Sequence, residues 1–234
     1  RTKHHFHRYA RSLGYLDWAN QPDPFRRFAG TERYLLPFGE EDITPPYDDV
    51  YGATVEARLL TVETLSVFLE QSLGVSATKS HGGSSWKLRC NPSSGNLHPT
   101  EGYLLIGALE GLSDTGGVYH YVSDDHSLEL RAELEKALWD SIAGGFPSGT
   151  FICGLTSIYW REAWKYGERA LRYCHHDAGH ALAALRVSDG ALEEQQGPLD
   201  RFAAVVAHRA REPRFARQHD VDLELGAGAA RVGL

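Results

Sequence analysis

The sequence predicts an α+β protein, and three features carry that reading. Helical stripes and strand-like runs come in mixed order, without the regular strand–helix alternation that builds a doubly wound parallel sheet. The strand candidates are short and are separated by glycine-rich turns. Of 234 residues, 42% are hydrophobic and 24% charged, the balance of a globular protein long enough to bury a substantial core.

Taken in order, residues 1–55 are rich in proline and aromatic side chains, as in QPDPFRRF and LLPFGEEDITPPYDDVYG, and show no sustained period. They are expected to form an extended arm wrapping a surface. The rings of Phe6, Tyr9, Trp18, Phe25, Phe28 and Tyr34 should be buried there, since a disordered tail would be depleted in aromatics. Residues 56–234 are expected to form the main domain. Its first helix follows Thr61, a good N-cap, with Val62, Leu65, Phe68, Leu69 and Leu73 on one side and Gly74 as terminator. Strands are expected at Tyr103–Leu109, Val118–Val122 and Phe151–Tyr159, with a helix within Leu130–Ile142. Small and apolar residues at helical spacing predict a buried helix over Ala170–Leu185, and a last helix is expected at about Leu199–Ala210. The chain has no methionine. The helical pattern also stops without a cap or breaker near Leu185–Ser188, so a discontinuity is expected at that point.

The net charge of −7 and a pI near 5.9 argue against nucleic acid, whose phosphates require clustered, unopposed Lys and Arg. Cys90, Cys153 and Cys174 are widely spaced and odd in number, which gives neither a disulfide framework nor a CxxC knuckle. No run approaches the roughly eighteen apolar residues of a membrane span, and the first residues carry no signal-peptide core. A reducing, cytoplasmic setting is the expectation.

Two segments carry chemistry. In Arg89–Glu101, RCNPSSGNLHPTE, residues Asn91, Pro92, Ser93, Ser94, Gly95 and Asn96 form a turn offering backbone N–H groups, hydroxyls and an amide. It could hold a polar heterocycle or phosphate, or its side chains could simply cap neighbouring backbone. In HHDAGH, His176 and His180 are four residues apart on a presumed helix near Cys174, His175 and Asp177, the spacing of a zinc metallohydrolase but without the general-base Glu of HExxH.

The string PSSGNLHPTEGYLL resembles the flavin-facing segment of nitroreductase-like flavoproteins. YWREAWKYGERALRYCHHDAGHALAAL resembles the KYGER…R…DAGH block of the azoline-oxidising, SagB-type branch of that superfamily, and GVYHYVSDDHSLELR between them resembles that branch's connecting strand. The resemblance covers about residues 65–185. It implies a nitroreductase-like fold, with a central, mainly antiparallel sheet flanked by helices, and FMN held in a homodimer or a tandem pseudo-dimer. By motif position, Pro92, Ser93, Ser94, Gly95 and Asn96 would lie against the flavin ring or ribityl chain, with His98 facing the same site. Arg89, Arg169 and Arg172 are the candidates for the phosphate, since guanidinium suits bidentate oxygen contacts. The alternative for these arginines is surface ion pairing with Glu162 or Glu168. No arginine-rich RRSxR segment precedes the Thr61 helix, a departure from many nitroreductases. Lys165 and Tyr166 align with the branch's catalytic lysine and tyrosine, and Asp177 and His180 become structural.

The implied reaction is either reduction of nitro compounds or quinones with NAD(P)H or dehydrogenation of a peptide azoline. A flavin-free structural partner is the third class, because a fold can outlive its cofactor.

Overall fold

The computed structural model describes residue 10 and residues 13–39, 47–50, 58–190 and 202–207. Phe6 and Tyr9 lie outside them. The elements are β1 (Arg33–Leu35), α1 (Tyr47–Val50), α2 (Val62–Leu73), β2 (Val75–His81), β3 (Ser84–Arg89), β4 (Thr100–Ile106), β5 (Gly116–Val122), β6 (Ser127–Leu134), α3 (Lys136–Ala143), β7 (Phe151–Ser157), α4 (Tyr159–Tyr166), α5 (Ala170–Gly190) and β8 (Phe202–Ala207). Six strands form one sheet in the order β1-β6-β5-β4-β7-β8, while β2 and β3 make a separate hairpin. Every pairing is antiparallel except β7 with β8. The architecture is the predicted one, a mainly antiparallel sheet with flanking helices.

Thr61 starts α2 through a reciprocal cap, Thr64 N–H donating to Thr61 Oγ1 at 3.2 Å and Thr61 N–H to Thr64 Oγ1 at 2.9 Å. Gly74 ends it for a reason other than left-handed backbone. Its φ is −67°, and a Cβ there would sit 2.4 Å from the Glu70 carbonyl oxygen. The apolar stripe of α2, Leu65, Phe68, Leu69 and Leu73, packs with Ala181 and Leu185 of α5 on the sheet face formed by Leu104, Ile106, Tyr119, Tyr121, Leu128, Cys153 and Leu155. Alternation along the strands puts these residues on one side and leaves Glu101, His120 and Glu129 on the other.

That second face holds a buried polar network. His120 bridges two carboxylates, with Nε2 2.9 Å from Glu101 and Nδ1 3.1 Å from Glu129, and Arg161 of α4 donates to Glu101. The arm closes over it: Phe28 N–H donates to Glu129 at 3.1 Å, and the Phe28 ring stands edge-on to His120 at 5.2 Å. Arg131 lies 3.6 Å above that ring. Burial pulls the His120 imidazole down, but the two flanking carboxylates outweigh it and leave its pKa raised. Burial alone would raise Glu101, yet His120, Arg161 and Arg89 hold it down to about 2.

Several expectations are corrected. The segment expected as a last helix carries strand β8 instead, since parallel pairing with β7 gives its backbone the partners that a helix would have supplied. Leu130–Leu134 belong to β6, so the helix expected within Leu130–Ile142 is confined to α3. No discontinuity falls at Leu185–Ser188; α5 runs through, Leu185 is fully buried and Ser188 Oγ donates to the Phe68 carbonyl at 2.9 Å. Phe25, Phe28 and Tyr34 are half-buried, but Trp18 is 57% exposed, standing edge-on to Trp164. The arm also contributes β1 to the sheet edge. All three cysteines are free thiols. Among the described residues no helix is long and apolar enough to cross a membrane.

Glu101→Gln should lower unfolding free energy by about 3–5 kcal/mol near neutral pH, because it removes the carboxylate charge that faces the buried Arg161 guanidinium and one of the two carboxylates flanking His120. Glu101's contribution is present above its unfolded value of 4.5 and is lost as pH falls toward about 2. The gap between wild type and variant, read by urea unfolding, should therefore narrow in acid. A loss below about 1 kcal/mol at neutral pH would show that the network adds little to stability.

Candidate active site at the Gly95 turn

The turn after β3 is gripped from α5 by one acid. Asp177, with no solvent exposure, accepts from Ser93 Oγ at 2.8 Å, from Ser94 N–H at 3.1 Å and from Ser94 Oγ at 3.2 Å. Ser93 Oγ in turn accepts the His98 N–H at 2.8 Å. Asn96 donates from Nδ2 to the Lys87 carbonyl of β3 at 3.0 Å, and its Oδ1 lies 2.8 Å from His98 Nε2. The backbone is left-handed at Gly95, Asn96 and His98, with φ of 65°, 59° and 46°.

Gly95 is required on two counts. A side chain there would be strained, and its Cβ would meet Tyr166 Oη at 2.6 Å and Lys165 Nζ at 3.0 Å. The ends of Lys165 and Tyr166, at the last turn of α4, therefore stand directly over the exposed face of the turn. The corner is strapped by the arm: Trp164 Nε1 donates to the Asp17 carbonyl at 3.0 Å, and a Cβ on Gly167 would lie 3.0 Å from Leu13. Behind it, Tyr166 packs on Tyr173 at 4.4 Å, and Arg169 lies 5.5 Å from the Tyr166 ring and 5.8 Å from that of Tyr173. Burial, then Glu162 and Tyr173, raise the Tyr166 phenol.

No family model matches the sequence. A protein assigned as a nitroreductase in Methanocaldococcus jannaschii is 27% identical over 131 residues, 52% of this chain and 59% of that protein. The crystal structure of a protein assigned as a nitroreductase from Anabaena variabilis superposes with a TM-score of 0.57 and 29% identity, over 74% of this chain and 34% of that one. The fold is nitroreductase-like. The chain spans 59% of the length of the first relative and 34% of the second. A further protein so assigned, from Ralstonia eutropha, gives a TM-score of 0.49 at 19% identity, over 79% of this chain and 80% of that one, and adds no weight.

The nitroreductase-like fold brings Ser93, Ser94, Gly95 and Asn96 together with Lys165 and Tyr166, while Pro92 is exposed at the same turn. Asn96 keeps one amide hydrogen and one carbonyl lone pair beyond the bonds already made. Arg169 and Arg172 are exposed on the α5 side. Arg89 is buried, donating to the carbonyls of Thr100 and Pro24. His98 sits beneath the turn rather than over it, and its imidazole is pulled down to about 3 by burial and then by Arg89 and Arg161. His176 and His180 are exposed while Asp177 is committed to the turn, and no group of three His, Cys, Asp or Glu side chains that could hold a metal occurs among the described residues. Glu162 is not a surface partner of Arg169 or Arg172. It is fully buried, and neither carboxylate oxygen has a hydrogen-bond partner among the described residues. Its one sequence signal, spacing of three and four from Lys165 and Tyr166, is too common to single it out.

Gly95→Ala should destabilise the protein by about 1–3 kcal/mol, the cost of a strained backbone combined with displacement of Tyr166. Chemical denaturation measures it; a change within about 0.5 kcal/mol would mean that the corner is loosely packed.

Proposed function

We propose that the chain is an FMN-dependent oxidoreductase, on the single observation that Lys165 Nζ and Tyr166 Oη converge on Gly95 of the PSSGN turn. The donor set suits the cofactor. Asn96 retains a donor and an acceptor for a flavin edge, Pro92 and Gly95 offer an exposed surface for its ring, and the guanidinium groups of Arg169 and Arg172 are free to reach solvent-side phosphate oxygens. Arg89, buried and donating from two of its nitrogens to the carbonyls of Thr100 and Pro24, with its Nε without a partner among the described residues, is assigned to holding the arm and β4 rather than the phosphate. Ser93 and Ser94 shape the turn through Asp177 and meet the ring with what remains of their hydroxyl capacity, and His98 buttresses Asn96 from below. Bound FMN would supply the redox chemistry.

The remaining work falls to the protein. Lys165 and Tyr166 hold or move a proton at Nζ and Oη, over the position where a substrate would meet the ring. The exposure of Gly95 calls for a second surface to close the site, either a homodimer partner or the other half of a tandem pair. The placement of the KYG residues supports the azoline-dehydrogenating class, with a peptide heterocycle as substrate. The relatives are named nitroreductases, which supports reduction of nitro compounds; NAD(P)H as the reductant and quinones as further substrates belong to this proposal. Anaerobic mixing separates the two: bleaching of bound flavin by NADH or NADPH supports the second class, and indifference to both supports the first.

Asn96→Ala should weaken FMN binding by about 1–3 kcal/mol, from hydrogen bonds lost at a buried edge; unchanged affinity would place Asn96 outside the site. Lys165→Ala and Tyr166→Phe should keep the flavin while slowing turnover by about 10²–10⁴. Release of flavin by Lys165→Ala would make that lysine an anchor instead.

A further inference from the structure

Glu162 has no task in the site described so far. It lies three and four residues before Lys165 and Tyr166 on α4, so the three share one helix face. Its side chain is fully buried and both carboxylate oxygens lack a hydrogen-bond partner among the described residues, a state that strongly disfavours the charged form. The groups around it are Lys165 and Tyr166 on its own helix and Asp177 and Cys174 on α5. Asp177 already accepts from Ser93 and Ser94. The Cys174 thiol, pushed up to about 12 by burial and then by Glu162 and Asp177, stays neutral. Burial and then Asp177 push the Glu162 carboxyl up to about 8, with Lys165 opposing them. Among the described residues Lys165 is therefore the cation that acts on this acid.

We propose that Glu162 is a proton reserve for Lys165, a buried carboxyl that resupplies the lysine after it has given its proton to a ligand on the Gly95 turn. The proposal rests on the proton-handling role assigned to Lys165 above. The O–H bond of Glu162 breaks and an N–H bond forms on the neutral Lys165 amine, leaving a carboxylate and an ammonium on the same helix face. The negative charge created inside the protein is thus paired as it appears. Asp177 cannot take this part, because its oxygens are committed to the turn. Glu162 acts through Lys165, as a positioning residue.

Carbon-13 NMR of protein labelled at its glutamate carboxyls tests this without substrate or flavin. One carboxyl should titrate near pH 8 and be missing from Glu162→Gln; in Lys165→Met its midpoint should move upward, the opposing cation having gone. A midpoint in the ordinary glutamate range, or one indifferent to Lys165→Met, overturns the proposal. In flavin-loaded protein, Glu162→Gln should bind FMN as the wild type does but turn over more slowly by on the order of 10² at pH 7. The two should converge above pH 8, where the wild-type reserve is itself deprotonated, and Glu162→Asp should restore part of the rate. Equal slowing at every pH would mark a packing role and overturn the proposal. Failure of the protein to take up flavin counts against the reading of the previous section alone, and the coupling of Glu162 to Lys165 is then decided by the titration.

Discussion

The Asp177 carboxylate, buried on α5 and accepting from Ser93 Oγ, Ser94 N–H and Ser94 Oγ, ties the long helix to the turn that carries the candidate site. A buried anion persists only where donors are fixed around it, so the turn and the helix hold each other in place. With the turn fixed, Gly95 presents a patch without a side chain, and the end of α4 can settle against it. The positions of Lys165 and Tyr166 follow from that contact.

A second tie runs through the opposite face of the sheet. Arg161 donates both to Glu101 of β4 and to the His98 carbonyl below the turn, so α4 is anchored to the sheet and the turn by one guanidinium. Glu101 is held by His120, His120 by Glu129, and Glu129 receives the Phe28 N–H of the arm. The arm thereby supports the site twice, through this chain of buried charges and through Asp17 and Leu13 at the corner of α4. The apolar core on the other face, built by α2 and α5, keeps the sheet rigid beneath both ties.

Much of this was legible in the residues, and the parts that were not have physical reasons. The α2 stripe, the Thr61 cap and the three central strands follow from period and capping chemistry. The hairpin of β2 and β3 escapes because its residues are mostly exposed and show no alternation. The segment of β8 reads as helix from its alanines, and only its neighbour β7 decides otherwise. The turn and the KYG corner were found as motifs, but their approach across Gly95 is a tertiary fact. Glu162 was invisible for the same reason: its character comes from burial beside α5, and local sequence carries no mark of that. Nothing in the sequence signals that Arg89, a guanidinium before a polar turn, is buried and turned toward the carbonyls of Thr100 and Pro24.

Sedimentation velocity of the purified chain mixed with FMN, recorded at the visible absorbance of the flavin, tests the central claim most directly. The account predicts that flavin absorbance moves with the protein, in a species containing two copies of the chain. Well-folded protein that sediments with all of the flavin left behind in the slow free-ligand boundary would contradict it.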